Sequence, residues 1–263
     1  MFFKIYNFFN RFWTFKFYEK ILEGEINKKK VPKHIGVIMD GNRRMARIMG
    51  EKSTKGHYIG AKKVREFIGW CVDLNIKIIT LYSFSLENFN RPKEEVDALM
   101  KLFEREFRAV AEDRNVHKYK IHIKAIGRIE LLPENVREAI AYAENKTKDY
   151  DNYYVNVAIA YGGQQELVDA IKRIGQKIKN NEMDVNDISV ETISKHLYTA
   201  HLPYQNPDLI IRTSGEERIS NFLIWQSSYS ELYFCETYWP NFRKIDFLRA
   251  IRDYQRRKRR FGK

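Results

Sequence analysis

An aspartate followed by a glycine, an asparagine and two arginines, Asp40-Gly41-Asn42-Arg43-Arg44, closes an apolar run of β type and opens a helical pattern. A strand-end carboxylate, a glycine turn, a helix start with free backbone N–H groups and two guanidinium forks are parts for a diphosphate site. Asp40 would repel phosphate oxygens unless a divalent cation bridged them, and hard oxygen ligands with a phosphate select magnesium. A plainer reading makes Asp40 a helix cap beside solvated arginines. Two further clusters weigh against it. Ser85-Leu86-Glu87-Asn88-Phe89-Asn90-Arg91-Pro92 follows a second apolar run. After a fifth run, Arg212 and Arg218 flank a glycine turn, and Ser220 adds a hydroxyl donor. Glu231, on a sixth run, offers a second carboxylate for the cation. Three arginine-bearing loops at one sheet edge imply more than one phosphorylated ligand.

The elements that must position these loops are legible as apolar runs at 34–40, 76–84, 119–127, 153–163, 207–215 and 231–235. Amphipathic helical patterns at 61–74, 94–110, 135–148, 165–179 and 245–257 alternate with them. Strand, helix, strand in succession predicts one α/β domain, a central mainly parallel β-sheet flanked by helices, with its ligand site at the carboxyl ends of the strands. The stripe Ala98, Leu99, Leu102, Phe103 and Val110 suits an apolar channel wall or plain core packing. The domain division expected is an amphipathic aromatic helix and linker at 1–30, then a catalytic body with a basic tail at 31–263.

Composition narrows the function classes. The 263 residues carry a net charge of +13, but residues 1–34 hold +5 and residues 249–263 hold +7, leaving the body at +1. A body so near neutrality lacks the clustered cations of a nucleic-acid binder. Cys71 and Cys235 form no metal or redox pair, and His117, His122, His196 and His201 show no metal-ligand spacing. No apolar window reaches the ~18 residues of a membrane span. Between Phe2 and Tyr18 lie ten aromatics with Lys4, Asn7, Arg11 and Thr14 at helical spacing. This is an amphipathic helix that either lies in a membrane interface, the favoured reading, or docks on the body or a partner. Seated on a membrane, it would make the protein cytoplasmic and peripheral to the inner face.

The combination HIGVIMDGNRR, LYSFSLENFNRP, YGG, IIRTSGEERISNFLIWQ and ELYF followed by WP resembles the cis-prenyltransferases, the undecaprenyl and dehydrodolichyl diphosphate synthases, over roughly residues 31–262. The leader EGEINKKKVPKHIG and the arginine pair resemble the archaeal and eukaryotic branch. The resemblance implies a parallel-sheet fold that is not a classical Rossmann fold, a homodimer or heterodimer, Mg²⁺ dependence, and sequential Z-condensation of isopentenyl diphosphate onto an allylic diphosphate, farnesyl or geranylgeranyl. It puts the allylic diphosphate on Gly41, Asn42, Arg43, Arg44 and Met45, with His57 and Arg91 nearby. Isopentenyl diphosphate would lie on Arg212, Arg218, Ile219 and Ser220. Asp40 and Glu231 would share Mg²⁺, and Asn88 would assist proton removal within the loop of Ser85, Leu86, Glu87 and Phe89. The tail Arg260-Phe261-Gly262 resembles the R-x-G end with which one subunit completes its partner's phosphate site.

The chain departs from the family pattern at Ser53, Glu217, Phe89 and Met45, where arginine, histidine, tryptophan and an aromatic are usual. None of these removes a carboxylate or an arginine clamp. Ser83 stands where side-chain bulk would limit product length. Rival readings are a trans-type prenyl synthase, whose D-D-x-x-D pairs are missing, a non-catalytic subunit, which would lack these arginines, and a membrane-surface adaptor using only the basic ends.

Overall fold

The computed structural model describes residues 16–257. Residues 1–15, most of the stretch expected to form an aromatic helix, and the tail from 258 lie outside the described residues. In chain order the elements are β1 (His34–Ile38), α1 (Asn42–Ile48), α2 (Ser53–Asp73), β2 (Ile78–Ser85), α3 (Lys93–Ala111), β3 (Ile121–Ile126), α4 (Glu134–Thr147), β4 (Tyr153–Tyr161), α5 (Gly163–Lys179), β5 (Leu209–Thr213), β6 (Glu231–Cys235) and α6 (Lys244–Arg256). The six strands form one sheet in the order β3-β4-β2-β1-β5-β6, parallel throughout. The expected mainly parallel α/β sheet is therefore present, and its order is not the Rossmann order.

Burial explains the strands. All five residues of β1 and of β5 are buried, the pattern of parallel strands covered on both faces. Along β5, Leu209 and Ile211 join the larger core with α2, α3, α4 and α6, whereas Ile210 turns to a smaller cluster around Phe222 and Tyr161. Gly36 is required on that second face, where a Cβ would come within 3.0 Å of Phe222. A polar layer also crosses this face. His34 Nε2 lies 2.8 Å from Thr80 Oγ1, Asn156 Nδ2 donates to the same oxygen at 3.3 Å, and His201 Nε2 lies 3.0 Å from Asn156 Oδ1. Burial pushes the pKa of His34 and of His201 down to about 4.

A helix over residues 16–25 lies against α6. Leu22 and Ile26 are buried, Glu23 pairs with Lys244 at 2.6 Å, and Gln255 Nε2 donates to Asn27 O at 2.9 Å. It thus docks on the body, while Phe17 and Ile21, one turn apart, point outward. Among the described residues no helix is long and apolar enough to cross a membrane.

The strand order fixes the site. From β1 the chain moves to β2 on one side, and β5 later lands on the other, so the direction switches at the carboxyl end of β1. Crevices at such switch points receive ligands in open parallel sheets. Asp40 stands at this one.

Candidate active site

Gly41 makes the turn from β1 into α1. Its φ of 102° lies in the left-handed region, and a Cβ there would meet Tyr238 Cβ at 2.8 Å, so glycine is needed twice over. The turn aims Asp40 at the arginines. Asp40 Oδ1 accepts from the Gly41 N–H at 2.6 Å, Asp40 Oδ2 accepts from Arg212 Nη2 at 2.9 Å, and Arg44 Nη2 stands 3.2 Å from the same oxygen. Burial opposes ionisation, but the Arg212 and Gly41 hydrogen bonds, with the charges of Arg212 and Arg44, hold the carboxyl below its ordinary pKa.

The loop after β5 supplies the opposite wall. Arg212 is buried, and its Nη1 donates to Ser220 Oγ at 2.7 Å and to Arg218 O at 2.6 Å. Ser214, Ser220, Asn221 and Leu223 all have positive φ. Such non-glycine strain persists where surrounding contacts enforce it, and it collects at functional sites. Here the Asn221 backbone carbonyl accepts from Gly163 N and its Oδ1 from Gln164 N, both at 2.8 Å, pinning the loop to the start of α5. Tyr82 closes the floor, its ring stacked on Phe222 at 4.7 Å and its hydroxyl donating to Ser220 O at 3.2 Å.

The third wall follows β2. Ser85 caps the short turn Leu86–Asn90, its N–H donating to Asn88 Oδ1 at 3.2 Å. Arg91 and Glu95 pair at 3.1 Å one turn apart, and His57 Nε2, from α2, lies 3.3 Å from the same carboxylate oxygen. Burial is the main influence lowering the His57 pKa below its ordinary value, against the Glu95 hydrogen bond that raises it.

These walls enclose a polar cleft of about 780 Å³. Its lining brings together twelve of the expected residues: Asp40, Gly41, Asn42, Arg43, Arg44 and His57, then Ser85, Glu87, Asn88, Arg91, Arg212 and Ser220. An apolar cavity of about 160 Å³ shares Met39, Asn42, His57, Tyr82 and Ser83 with the cleft and runs inward between α2, α3 and the sheet. Leu99, Leu102, Phe103 and Val110 of the expected stripe line it. Ser83 stands at the junction of the two spaces.

Several expected residues are placed elsewhere. Met45 Sδ accepts from Asn241 Nδ2 at 3.3 Å, outside the cleft. Phe89 packs edge-on against Phe84 at 4.9 Å, Leu86 packs on the larger core, and Ile219 lies outside the cleft lining. Arg218 turns its side chain to solvent beside Glu216 at 2.7 Å and gives the cleft wall only its carbonyl. The largest correction concerns Glu231. Asp208 N donates to His34 O and Glu231 N to Asp208 O, so Glu231 is level with the start of β1. Glu231 pairs with Leu209 and Leu209 with Ile35, so five residues separate that level from Asp40, about 17 Å at ~3.3 Å per residue. Its carboxylate accepts instead from Arg257 Nη1 at 2.7 Å. Within one chain the two acids cannot share an ion, because Glu231 opens its strand while Asp40 follows the end of its own. Among the described residues no group of three or more acids, histidines or cysteines could hold a metal.

Some residues that build the site were not singled out in the sequence. Gly56 and Gly60 are one helical turn apart on α2, and a Cβ on them would meet Asn42 O at 2.1 Å and Asn42 Oδ1 at 2.2 Å. That G-x-x-x-G spacing is a readable signal of close helix approach. Trp239 braces the same contact, its indole N–H donating to Gly60 O at 2.9 Å and its backbone N–H to Asp40 O at 2.9 Å. Glu216 bridges Arg44, at 3.0 Å, to Arg218.

An all-parallel sheet, a phosphate-type cleft at its switch point and an apolar cavity opening from that cleft suit an enzyme whose substrate carries a diphosphate on an apolar chain. A family profile described as "Putative undecaprenyl diphosphate synthase" matches residues 38–262, and the chain belongs to that family, the cis-prenyltransferases. It is similar to the tritrans,polycis-undecaprenyl-diphosphate synthase (geranylgeranyl-diphosphate specific) of Methanocaldococcus jannaschii, 62% identical over 98% of this chain and 92% of that one. The enzyme of the same name from Methanopyrus kandleri is 51% identical over 95% and 92%. Among solved structures, lavandulyl diphosphate synthase from Lavandula x intermedia in complex with dimethylallyl diphosphate superposes with a TM-score of 0.85 at 36% identity, covering 89% of this chain and 99% of that chain. A probable undecaprenyl diphosphate synthase from Campylobacter jejuni gives 0.71 at 36% identity, over 88% and 99%.

Proposed function

We propose that the protein is a polyprenyl diphosphate synthase that adds isopentenyl diphosphate repeatedly, with Z geometry, to an allylic diphosphate, geranylgeranyl in preference to farnesyl. The observation that carries this reading is the union of one polar cleft, holding Arg43, Arg44, Arg91 and Arg212, with an apolar cavity at its floor. Relatives named as geranylgeranyl-diphosphate specific support the primer. A non-catalytic subunit is disfavoured, because Asp40 and all four arginines are in place.

In this reading Gly41, Asn42, Arg43, Arg44 and Arg91 receive the allylic diphosphate, and the prenyl tail enters past Ser83. Breaking the allylic carbon–oxygen bond leaves charge on the departing diphosphate, which the guanidinium groups stabilise without reorganising. Arg212 and Ser220 hold the second diphosphate so that the alkene faces the allylic carbon, and Asn88 orients the proton lost as the new double bond forms. Asp40, the carboxylate at the meeting of the two halves, is the residue that would hold a magnesium ion beside the bound diphosphates. The ion would neutralise developing charge on the leaving group.

The same reading makes the protein a homodimer and seats it on the inner membrane face through its aromatic helix. The partly exposed β6, with Leu232, Tyr233 and Phe234 at the sheet edge, supports a second copy. Outward-facing Phe17 and Ile21 support the membrane contact. The test is incubation with magnesium, labelled isopentenyl diphosphate and either primer, with products weighed by mass spectrometry. Long polyprenyl diphosphates, made faster from geranylgeranyl diphosphate, are expected; no polyprenyl product from either primer contradicts the reading.

A further inference from the structure

Behind the allylic half of the cleft, against three of its lining side chains, sits an acid that anion binding does not call for. Glu95, in the first turn of α3, is buried. Its Oε1 lies 3.1 Å from Arg91 Nη1, 3.3 Å from His57 Nε2 and 3.6 Å from Arg43 Nε. Three side chains from α1, α2 and the turn before α3 therefore meet on one oxygen. A carboxylate at this place repels a diphosphate, so direct ligand contact does not explain it. The cations also oppose one another, since Arg91 and Arg43 both disfavour charge on His57. Left alone, they would spread into solvent, as Arg43, half exposed, is free to do.

We propose that Glu95 is a positioning residue for the allylic diphosphate: it gathers Arg43, His57 and Arg91 onto one point and yields them to the ligand. This rests on the functional reading above. The alternative is a purely structural acid that complements the α3 dipole and acts on stability alone.

The test is calorimetric titration with geranylgeranyl diphosphate, without isopentenyl diphosphate so that no turnover occurs. Wild type, Glu95→Gln, Arg91→Gln and the double variant are compared, each with a melting curve. Wild type binds, and Glu95→Gln binds about tenfold more weakly or worse, the usual loss when a ligating group's orienting partner is removed. In the titrations the double variant is far from additive, as expected for groups acting as one unit, and in separate steady-state assays the KM for isopentenyl diphosphate stays within about twofold. Glu95→Asp, whose carboxylate falls a methylene short of the three cations, shows the same loss if Glu95→Gln is too unstable to titrate. Wild-type affinity in the Glu95 variants with only a shifted Tm, or strict additivity with Arg91→Gln, overturns the proposal. Failure of wild type to bind overturns the functional reading as well, so the two failures are told apart.

Discussion

Arg212 joins two loops through one guanidinium: Nη2 donates to Asp40 Oδ2 at 2.9 Å and Nη1 to Ser220 Oγ at 2.7 Å. The carboxylate after β1 and the hydroxyl after β5 are thereby held in fixed relation. Arg212→Lys keeps the charge but replaces the fork with a point donor that cannot span both. KM for isopentenyl diphosphate should rise about tenfold or more, the cost of a lost charge-assisted hydrogen bond. Steady-state kinetics with each substrate varied in turn check this, and an unchanged KM would contradict the role.

Asp40→Asn keeps the shape and removes the charge that holds Arg212 and Arg44. Turnover should fall by about 10²-fold or more, the scale of losing one preorganised electrostatic contact. The folded state should survive, since the side chain is 31% exposed and contributes little to the core. Turnover numbers set beside melting curves separate the two effects.

Gly56→Ala drives a methyl into Asn42 O, a backbone atom with nowhere to go. The helices must part, costing about 1–3 kcal/mol as in other overpacked sites. Both Tm and the affinity for the allylic diphosphate should drop. Gly175→Ala, on α5 with nothing within 4 Å of its Cβ, is the matched control and should leave both intact.

Val155→Phe tests the cavity. Val155 pairs with Ile79 and Ile123, four residues deeper than the Ser83 level, about 13 Å at ~3.3 Å per residue. A phenyl ring there should shorten the products while sparing the first condensations. An unchanged product length, read by mass spectrometry, would place the growing chain elsewhere.

Acid should weaken the fold through His34. Burial lowers its folded pKa to about 4, against about 6.5 for an unfolded histidine. The unfolded state therefore binds the extra proton first. The neutral-state stability is complete above about pH 6.5 and declines as pH falls toward 4, by about 3 kcal/mol for this site. Urea midpoints across that window should fall in wild type and fall less in His34→Gln.

Much of the fold was legible in the sequence because apolar runs in a parallel sheet are nearly continuous, as in His34 to Ile38, and their loops carry conspicuous arginines. Asp40, Arg44, Arg91 and Arg212 could be nominated because each lies near the carboxyl end of a run or in the loop just beyond it. Glu231 could not be placed, because depth along a strand depends on register, which composition does not reveal. Arg218 and Met45 share local segments with cleft residues, yet side-chain direction after a turn is set by tertiary contacts such as those to Glu216 and Asn241. Glu95 and Gly60 act through contacts distant in sequence, and only spacing hinted at them.

A crystal structure with isopentenyl diphosphate and a thiolo analogue of geranylgeranyl diphosphate examines the arrangement itself. One diphosphate is expected on Gly41 to Arg44 with Arg91, the other on Arg212 and Ser220, and the prenyl tail passing Ser83 toward Val155. Diphosphates bound away from these arginines, or a tail left outside the cavity, would contradict it.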